Sequence, residues 1–279
     1  HTYGIAFITD PGTKSLRLGH DGNLMNGADD AVHDPTADSR HKQLVERTVR
    51  SYLGFPRETI WGTTWDTAVV EPGDKDDDRV RDTAYTNVAL RNHVDCTYLR
   101  DPPQLQVFLC SAESDDAAGG VSTFQDGFRV ADELFKVSPE AFWFFATTKL
   151  GFQCTHDGVD TLSYAPVFEL DTAFEAHFVG GQGGGSPHVR PPLRRFRYNN
   201  DDRAVINHLP AQSVDAFYRH LPLLLELLRR KDLTLRKRLR QGDWVIVDNH
   251  RVLHGRTAFS GSGRKFVGCY AEMDEASFV

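Results

Sequence analysis

The arrangement of strand-like and helix-like segments along the chain limits the folds that it can adopt. Short apolar segments bounded by Pro, Gly or acidic residues predict strands at 3–10, 105–112, 243–255 and 265–273. Helices are predicted at 39–53, 127–147 and 213–230, where apolar residues recur on one face. Strands therefore begin and end the chain, without the regular strand–helix alternation of a doubly wound nucleotide-binding fold. This order predicts a mainly β protein of the α+β class, a double-sheet jelly roll with helices packed outside it.

Turn-forming residues divide this pattern further. Ser138 and Pro139 predict a break within the second helical segment, and Ser213 is predicted to cap the N-terminus of the last helix. The acidic segment 71–78 and the glycine-rich segment 180–187 are predicted to be surface loops. The glycine-rich segment does not have the form of a phosphate-binding loop, because no strand leads into it and no helix beginning with GK[ST] follows it.

Composition favours one globular domain and argues against two classes of partner. The chain has 279 residues, of which 40% are hydrophobic and 25% are charged, as is usual for a globular protein with a substantial core. Its formal net charge is −7, so the chain as a whole would be repelled by the phosphate backbone of a nucleic acid. No apolar run approaches the roughly 20 residues that a membrane span requires, so membrane insertion is not expected.

The cysteines and the first residue bear on disulfide bonding and on whether an N-terminal segment is missing. The four cysteines lie far apart without a CxxC spacing, which predicts neither a disulfide framework nor a thiolate zinc site. We expect a single domain over 1–279, and because the chain begins at His1 rather than Met, we expect that an upstream N-terminal segment is missing. The sequence leaves open whether the compartment is the cytoplasm or the mitochondrion, and whether the chain forms a homodimer.

The segment ALRNHVDCTYL, residues 89–99, carries a histidine and an aspartate two positions apart in what is predicted to be a strand. Side chains two apart on a strand point to the same face, so His93 and Asp95 can reach one point in space. That geometry suits a metal ion. An isolated pair of this kind is more often a surface hydrogen bond, so a third ligand is needed to favour the metal.

His254 supplies the third ligand, at the close of a strongly apolar strand. Two histidines and one carboxylate on one face of an ion form the ligand set of non-heme Fe(II) oxygenases. His250 competes for this role from the same strand face, but we prefer the residue nearer the strand end, which can point into the mouth of a barrel. Ten residues further on, Arg264 offers a planar fork that can hold the far carboxylate of a dicarboxylic cosubstrate.

Taken together, four segments resemble the trimethyllysine dioxygenase and γ-butyrobetaine dioxygenase family of Fe(II)/2-oxoglutarate oxygenases. The segments are DTAYTNVALRNHVDCTYLRDP, GGVSTFQDGF, RYNNDDRAVIN and DNHRVLHGRTAFSG, and the resemblance extends over about residues 3 to 275. It implies a cupin-like double-stranded β-helix that uses Fe(II), 2-oxoglutarate and O2. It also implies iron ligands at His93, Asp95 and His254, with Arg264 and Ser122 beside the cosubstrate.

Substrates of this family carry a quaternary ammonium group, which has no N–H to donate and is held by aromatic faces or by negative potential. Four aromatic residues match the cage positions of the family: Trp61, Trp65, Tyr85 and Tyr270. Core packing is the alternative for the two tryptophans considered alone. The four matches together favour a cage for trimethylammonium.

The other end of the substrate distinguishes trimethyllysine from γ-butyrobetaine. Trimethyllysine has a free α-ammonium group, which Asp82 is placed to accept, and Asn199 matches a residue that would hold the carboxylate. An aspartate facing a lone carboxylate would repel it. The resemblance is therefore closer to the trimethyllysine enzymes and implies C3 hydroxylation of free N6,N6,N6-trimethyllysine, the first step of carnitine biosynthesis. Asp82 can equally be a solvated member of the acidic loop that precedes it.

Departures from the family pattern leave other functions open. Val94 stands where the family has Thr in an H-T-D motif, and Leu109 and Cys110 replace a histidine common after the phenylalanine. The segment 177–196 also differs from the family pattern. One alternative is a related oxygenase that acts on another amino acid in secondary metabolism, or on γ-butyrobetaine. A non-enzymatic reader of trimethylated lysine is less favoured, because all three ligands and Arg264 are present together. A zinc hydrolase uses similar ligand types, but no general base is paired with the triad and Arg264 would have no task.

Overall fold

The computed structural model describes residues 4–9, 17–18, 24–25, 35–69, 83–114, 116, 118–156, 158–171 and 190–272. The strands of this part of the chain are β1 Ile5–Ile8, β2 Arg17–Leu18, β3 Leu24–Met25, β4 Pro56–Arg57, β5 Thr64–Asp66, β6 Leu90–His93, β7 Leu105–Ala112, β8 Ser122–Asp126, β9 Leu150–His156, β10 Val159–Ala165, β11 Phe168–Leu170, β12 Leu193–Phe196, β13 Thr234–Lys237, β14 Trp244–Asp248, β15 Val252–Arg256 and β16 Lys265–Ala271. The helices are α1 Pro35–Tyr52, α2 Gly127–Val137, α3 Pro139–Thr147 and α4 Ala211–Arg229. The predicted loops at 71–78 and 180–187 lie outside the described residues.

Two antiparallel sheets form the centre of the fold. The larger sheet has the strand order β1-β14-β7-β16-β4, with β5 also paired to β16, and the smaller sheet has the order β13-β8-β15-β6. Side chains from both sheets meet in one apolar cluster, in which the rings of Phe7 on β1 and Phe124 on β8 lie 5.4 Å apart. This arrangement confirms the predicted mainly β jelly roll, a cupin-like double-stranded β-helix with flanking helices.

The helix α1 covers the outer face of the larger sheet. Val45 and Val49 are fully buried there against Leu105, Val107 and Leu109, which alternate along β7. The intervening residues of β7 point to the opposite face, into the space between the sheets. Both faces of β7 are buried, so its sequence is mostly apolar on both faces, and the strand occupies the predicted span.

The other three helices pack together on a second apolar cluster. Ser138 separates α2 from α3, as predicted: its backbone N–H bonds to the carbonyl of Leu134, and its hydroxyl accepts from the N–H of Ala141 at 3.2 Å. The prediction that Ser213 caps the last helix is wrong. The helix begins at Ala211, and Pro210 stands at the cap position, so Ser213 lies inside the first turn.

The segment 243–255, predicted as one strand, forms two. Residues 249–251 turn the chain between β14 in the larger sheet and β15 in the smaller sheet. This crossing brings residues of the turn close to the space between the sheets. Among the described helices, none is both long and apolar enough to span a membrane.

Candidate active site

A cavity of about 370 Å³ lies between the two sheets. Its walls include Phe108 and Phe266 from the larger sheet and Phe124 from the smaller sheet. Ten of the eleven residues singled out from the sequence line this cavity: Trp61, Trp65, Tyr85, His93, Asp95, Ser122, Asn199, His254, Arg264 and Tyr270. The eleventh, Asp82, lies outside the described residues. Side chains spread over some 210 positions of the sequence thus meet at one place.

His93, Asp95 and His254 form a cluster that can hold a metal ion, because one ligand atom from each lies within 4.8 Å of the others. His93 and His254 are directly opposite each other in the pairing of β6 with β15. The Oδ1 atom of Asp95 lies 3.1 Å from Nε2 of His93 and 3.6 Å from Nε2 of His254. By contrast, His250 donates its Nε2 proton to the carbonyl of Pro102 at 2.8 Å, away from this cluster.

Asp95 reaches this position differently from the sequence expectation. Strand β6 ends at His93, and Asp95 lies in a bend ahead of Cys96, whose φ of 58° is in the left-handed region. The bend is held from the turn after β14: Asn249 Oδ1 accepts from the Asp95 N–H at 2.8 Å, and Asn249 Nδ2 donates to the Asp95 carbonyl at 3.1 Å. The carboxylate is therefore positioned by a distant side chain rather than by strand alternation.

The two oxygens of the Asp95 carboxylate have different surroundings. Oδ2 accepts from the side-chain amide of Gln106 and, at 2.7 Å, from the hydroxyl of Tyr270. Oδ1 faces the two histidines. Burial on its own would raise the pKa of this carboxyl, but the adjacent His254 and His93 hold that pKa well below its usual range. The carboxylate is thus ionised and offers a single oxygen to a metal.

The histidines are also oriented for metal binding. Nδ1 of His93 donates to the carbonyl of Arg91 at 2.7 Å, because a carbonyl can only accept, and this leaves Nε2 toward the cluster. Burial lowers the pKa of His93, but the hydrogen bond and negative charge of Asp95, together with the hydrogen bond to Arg91 and the charge of Asp202, outweigh it and raise the pKa to about 9. Burial lowers the pKa of His254 to about 4, which keeps its ring neutral. This set of two imidazoles and one carboxylate fits a divalent first-row metal such as Fe(II).

A buried arginine lies on another wall of the cavity. Arg264 donates through Nη2 to the Ser122 hydroxyl at 3.3 Å and through Nε to the carbonyl of Gly120 at 3.3 Å. Its guanidinium lies over the ring of Phe266 at 4.2 Å, and no carboxylate of a described residue pairs with it. Burial, with Arg256 nearby, lowers its pKa to about 9. A buried cation of this kind suits an anionic group entering the cavity.

The four aromatic residues form two contacting pairs. The rings of Trp61 and Tyr85 lie 5.9 Å apart, and those of Trp65 and Tyr270 lie 5.5 Å apart. Trp65 lies directly on Gly268 of β16, where an added Cβ would come within 2.2 Å of the indole. Glycine at this position therefore lets the indole lie flat on the strand.

Several residues that line the cavity or contact Asp95 were not identified from the sequence. Gln106 and Asn249 position Asp95, and both are almost fully buried. Gln106 could have been found from the sequence, because it lies between apolar residues in β7 and a buried amide needs a hydrogen-bond partner. Asn199 lines the cavity as expected, and Asp201 and Asp202 line it beside Asn199.

Arg256 supports the segment that carries Tyr85. Its guanidinium donates to the backbone carbonyls of four residues: Thr83, Ala84, Thr86 and Val88. Arg256 lies two residues after His254 on β15, so the same strand presents a candidate metal ligand and holds the segment of Tyr85 in place.

Comparison with known proteins agrees with this geometry. The family model described as "Taurine catabolism dioxygenase TauD, TfdA family" matches residues 34–270. The mitochondrial trimethyllysine dioxygenase of Mus musculus is 32% identical over 256 residues, covering 90% of this chain and 53% of that protein. Gamma-butyrobetaine dioxygenase of Homo sapiens is 30% identical over 230 residues, covering 80% of this chain and 52% of that protein. The chain thus spans about half the length of these curated relatives.

The fold is also similar to solved structures. The crystal structure of the non-heme iron oxygenase OrfP in complex with Fe and alpha-ketoglutaric acid matches with a TM-score of 0.59. The two sequences are 15% identical, and the match covers 97% of this chain and 76% of that chain. At this level of identity, the similarity shows a shared fold.

Proposed function

The chain belongs to the taurine catabolism dioxygenase TauD, TfdA family, and on that premise we propose that it is an Fe(II)- and 2-oxoglutarate-dependent oxygenase. Its proposed reaction is C3 hydroxylation of free N6,N6,N6-trimethyllysine, the first step of carnitine biosynthesis. The observation that carries the proposal is the cluster of His93, Asp95 and His254 in one cavity with a buried arginine and four aromatic rings. O2 is the second cosubstrate.

His93, Asp95 and His254 would hold the iron. Bound Fe(II) would supply the activation of O2 that couples oxidative decarboxylation of 2-oxoglutarate to hydroxylation. The residues around it orient the ligands: Gln106 and Tyr270 retain Oδ2 of Asp95, so that Oδ1 remains for the metal. A metal ion bound at this point would replace the proton on Nε2 of His93.

Arg264 and Ser122 would bind the distal carboxylate of 2-oxoglutarate. The guanidinium already lies within hydrogen-bonding distance of the Ser122 hydroxyl, so both can donate to the same anion. The pairing would also compensate the buried charge of Arg264, which no described carboxylate neutralises.

Trp61, Trp65, Tyr85 and Tyr270 would surround the trimethylammonium group. Their faces provide negative quadrupole potential without requiring a hydrogen-bond donor on the substrate. The opposite end of the substrate would be held by Asn199 at the carboxylate and by Asp82 at the α-ammonium group. Binding at both ends would select the carbon that reacts by its distance from the metal.

Acidic residues on the cavity wall favour trimethyllysine over γ-butyrobetaine. Asp201 and Asp202 line the cavity on the same side as Asn199. Their charges would attract an α-ammonium group and would repel a substrate whose corresponding end is only a carboxylate. The similarity to gamma-butyrobetaine dioxygenase of Homo sapiens nevertheless makes γ-butyrobetaine the second candidate substrate.

Reconstitution with Fe(II) under anaerobic conditions, followed by exposure to O2 with 2-oxoglutarate, tests the proposal. Trimethyllysine, γ-butyrobetaine, lysine and a panel of free amino acids are compared by succinate formation and product mass. We expect trimethyllysine to give the largest stimulation and a product heavier by one oxygen. Stimulation by an uncharged amino acid alone would contradict the trimethyllysine proposal while retaining the oxygenase chemistry.

His254→Ala separates the metal assignment from the substrate assignment. It should abolish succinate formation with every substrate, because one of three ligands is removed. His250→Ala is the matched control, since His250 lies outside the cluster. Full turnover by His254→Ala would show that the iron is held elsewhere.

A further inference from the structure

A second cavity, of about 380 Å³, lies on the opposite face of the smaller sheet from the candidate active site. Thr123 on β8 lines it, whereas the neighbouring Ser122 and Phe124 line the first cavity, as strand alternation requires. Leu225 and Leu228 of α4 form part of its wall. The proposed oxygenase reaction does not use Thr123, Leu225 or Leu228.

Four exposed basic residues line this second cavity: Arg91 on β6, Arg229 at the end of α4, Lys231 just after it and Arg236 on β13. None of them pairs with a carboxylate of a described residue, whereas the adjacent Arg230 is bonded to both Glu133 and Asp232. We name this region the basic cavity. Four unneutralised cations in one concave surface are unexpected in a chain of net charge −7.

One acidic residue, Asp201, is found among the described residues of the basic cavity. Its Oδ2 accepts the hydroxyl hydrogen of Thr83 at 3.0 Å. The net charge of the residues that line the basic cavity is thus positive.

The C-terminus of α4 accounts for only two of the four basic residues. Arg229 and Lys231 can interact with the negative end of the dipole of α4. Arg91 and Arg236, however, come from β6 and β13, which lie at opposite edges of the smaller sheet. Side chains from separate elements therefore converge on one space, which is the usual construction of a ligand site.

We propose that the basic cavity binds a small organic anion. Its phosphate or carboxylate group lies among Arg91, Arg229 and Arg236, and its apolar part lies on Leu225 and Leu228. Guanidinium groups match the geometry of such anions, and the volume is in the range of about 300–1,000 Å³ that is usual for small-molecule sites. This site is additional to the proposed oxygenase function.

The basic cavity and the candidate active site share a wall. Leu90, His93, Asn199, Asp201 and Arg256 line both cavities. The carbonyl of Arg91 also accepts the hydrogen bond from Nδ1 of His93. A ligand of Arg91 would therefore lie close to His93, a candidate metal ligand that lines both cavities.

Isothermal titration calorimetry on the full chain tests the site, with hexyl phosphate, inorganic phosphate and hexanol as probes. Hexyl phosphate carries both features of the proposed ligand, and each of the other two carries one. We expect saturable binding of hexyl phosphate, at least about tenfold weaker binding of inorganic phosphate, and none of hexanol. The measurement needs no turnover, so it is independent of the proposed reaction.

The variant Arg229→Gln/Arg236→Gln assigns the binding to this cavity. It should weaken hexyl phosphate binding at least about tenfold through the loss of two charged donors. The matched control is Lys149→Gln/Arg219→Gln, which removes the same charge at exposed positions outside the cavity and should bind as the parent chain does. All four positions are exposed, so both variants should fold.

Three results would overturn the proposal. Absence of saturable binding would remove the site, and equal binding of hexanol or of inorganic phosphate would remove the proposed ligand class. Unchanged affinity in the Arg229→Gln/Arg236→Gln variant, or an equal loss in the control, would place the binding elsewhere, for example at Arg264.

Discussion

The hydroxyl of Tyr270 donates to Asp95 Oδ2 at 2.7 Å while its ring contacts Trp65 with 5.5 Å between centroids. One residue thus belongs to both the aromatic group and the surroundings of the candidate metal ligand. Tyr270 and Asp95 are separated by 175 positions in the sequence, and β16 brings them together. The side chain of Tyr270 therefore contacts both the proposed substrate site and the proposed metal site.

Tyr270→Phe separates these two contributions. It retains the ring but removes the hydrogen bond to Asp95, so metal affinity should fall by roughly 10- to 100-fold. The KM for trimethyllysine at saturating metal should change little. Tyr270→Ala should impair both, and exposed Tyr164→Phe is the matched control. Titration with Mn(II) as a probe measures the metal affinity. An unchanged affinity in Tyr270→Phe would argue against this role of the hydroxyl.

Asn249 is expected to be the main support of the bend at Asp95. Its side chain makes three hydrogen bonds, to the N–H and carbonyl of Asp95 and to the carbonyl of Pro103. Asn249→Ala should lower the free energy of unfolding by about 2–4 kcal/mol, since a nearly fully buried polar network loses its centre.

Urea denaturation measures this change, and Mn(II) titration of the folded variant should show weaker metal binding than the parent chain. Asn200→Ala is a control on a nearby turn. If Asn249→Ala bound metal normally, the position of Asp95 would not depend on this side chain.

Much of the fold could be predicted from the sequence because its strongest patterns arise from burial. Strand β7 was predicted with its observed bounds, since burial on both faces gives a mostly apolar segment. The beginning of α4 was predicted two residues late. Ser213 has a side chain that is favoured at an N-cap, but Pro210, three residues earlier, occupies the N-cap position. The N-cap preference of serine therefore did not determine where the helix begins.

The sequence could predict which residues of the candidate site carry its chemistry. It could not predict positions that depend on contacts with residues far away in the sequence. The sequence indicated His93, Asp95 and His254 through residue type and spacing. It could not indicate that Asp95 leaves the strand, because Asn249, 154 positions away, holds the bend. Nor did it identify Gln106, although a glutamine within an apolar strand signals a buried partner.

Gly268→Ala tests the contact that places Trp65. The added Cβ would come within 2.2 Å of the indole, so Trp65 must move. We expect a loss of about 1–3 kcal/mol in the free energy of unfolding and a raised KM for trimethyllysine. In a Trp65→Ala background the same substitution should cost less than about 0.5 kcal/mol, because the clash is gone. Equal costs in both backgrounds, measured by urea denaturation, would exclude this contact as the cause.

His250 makes stability depend on pH. Burial lowers its pKa from 6.5 to about 4 in the folded chain, where its Nε2 proton bonds to the carbonyl of Pro102. The unfolded chain therefore binds more protons between pH 4 and 6.5. This contribution is present in full above pH 6.5 and is lost as the pH falls toward 4.

His250→Gln retains a side-chain N–H for Pro102 but does not titrate. Between pH 7 and pH 4 the parent chain should lose about 2–3 kcal/mol more stability than this variant, corresponding to the shift of its pKa. Urea denaturation at both pH values measures the difference, with His208→Gln as an exposed control. Parallel pH profiles for the parent chain and His250→Gln would show that His250 can be protonated within the folded chain.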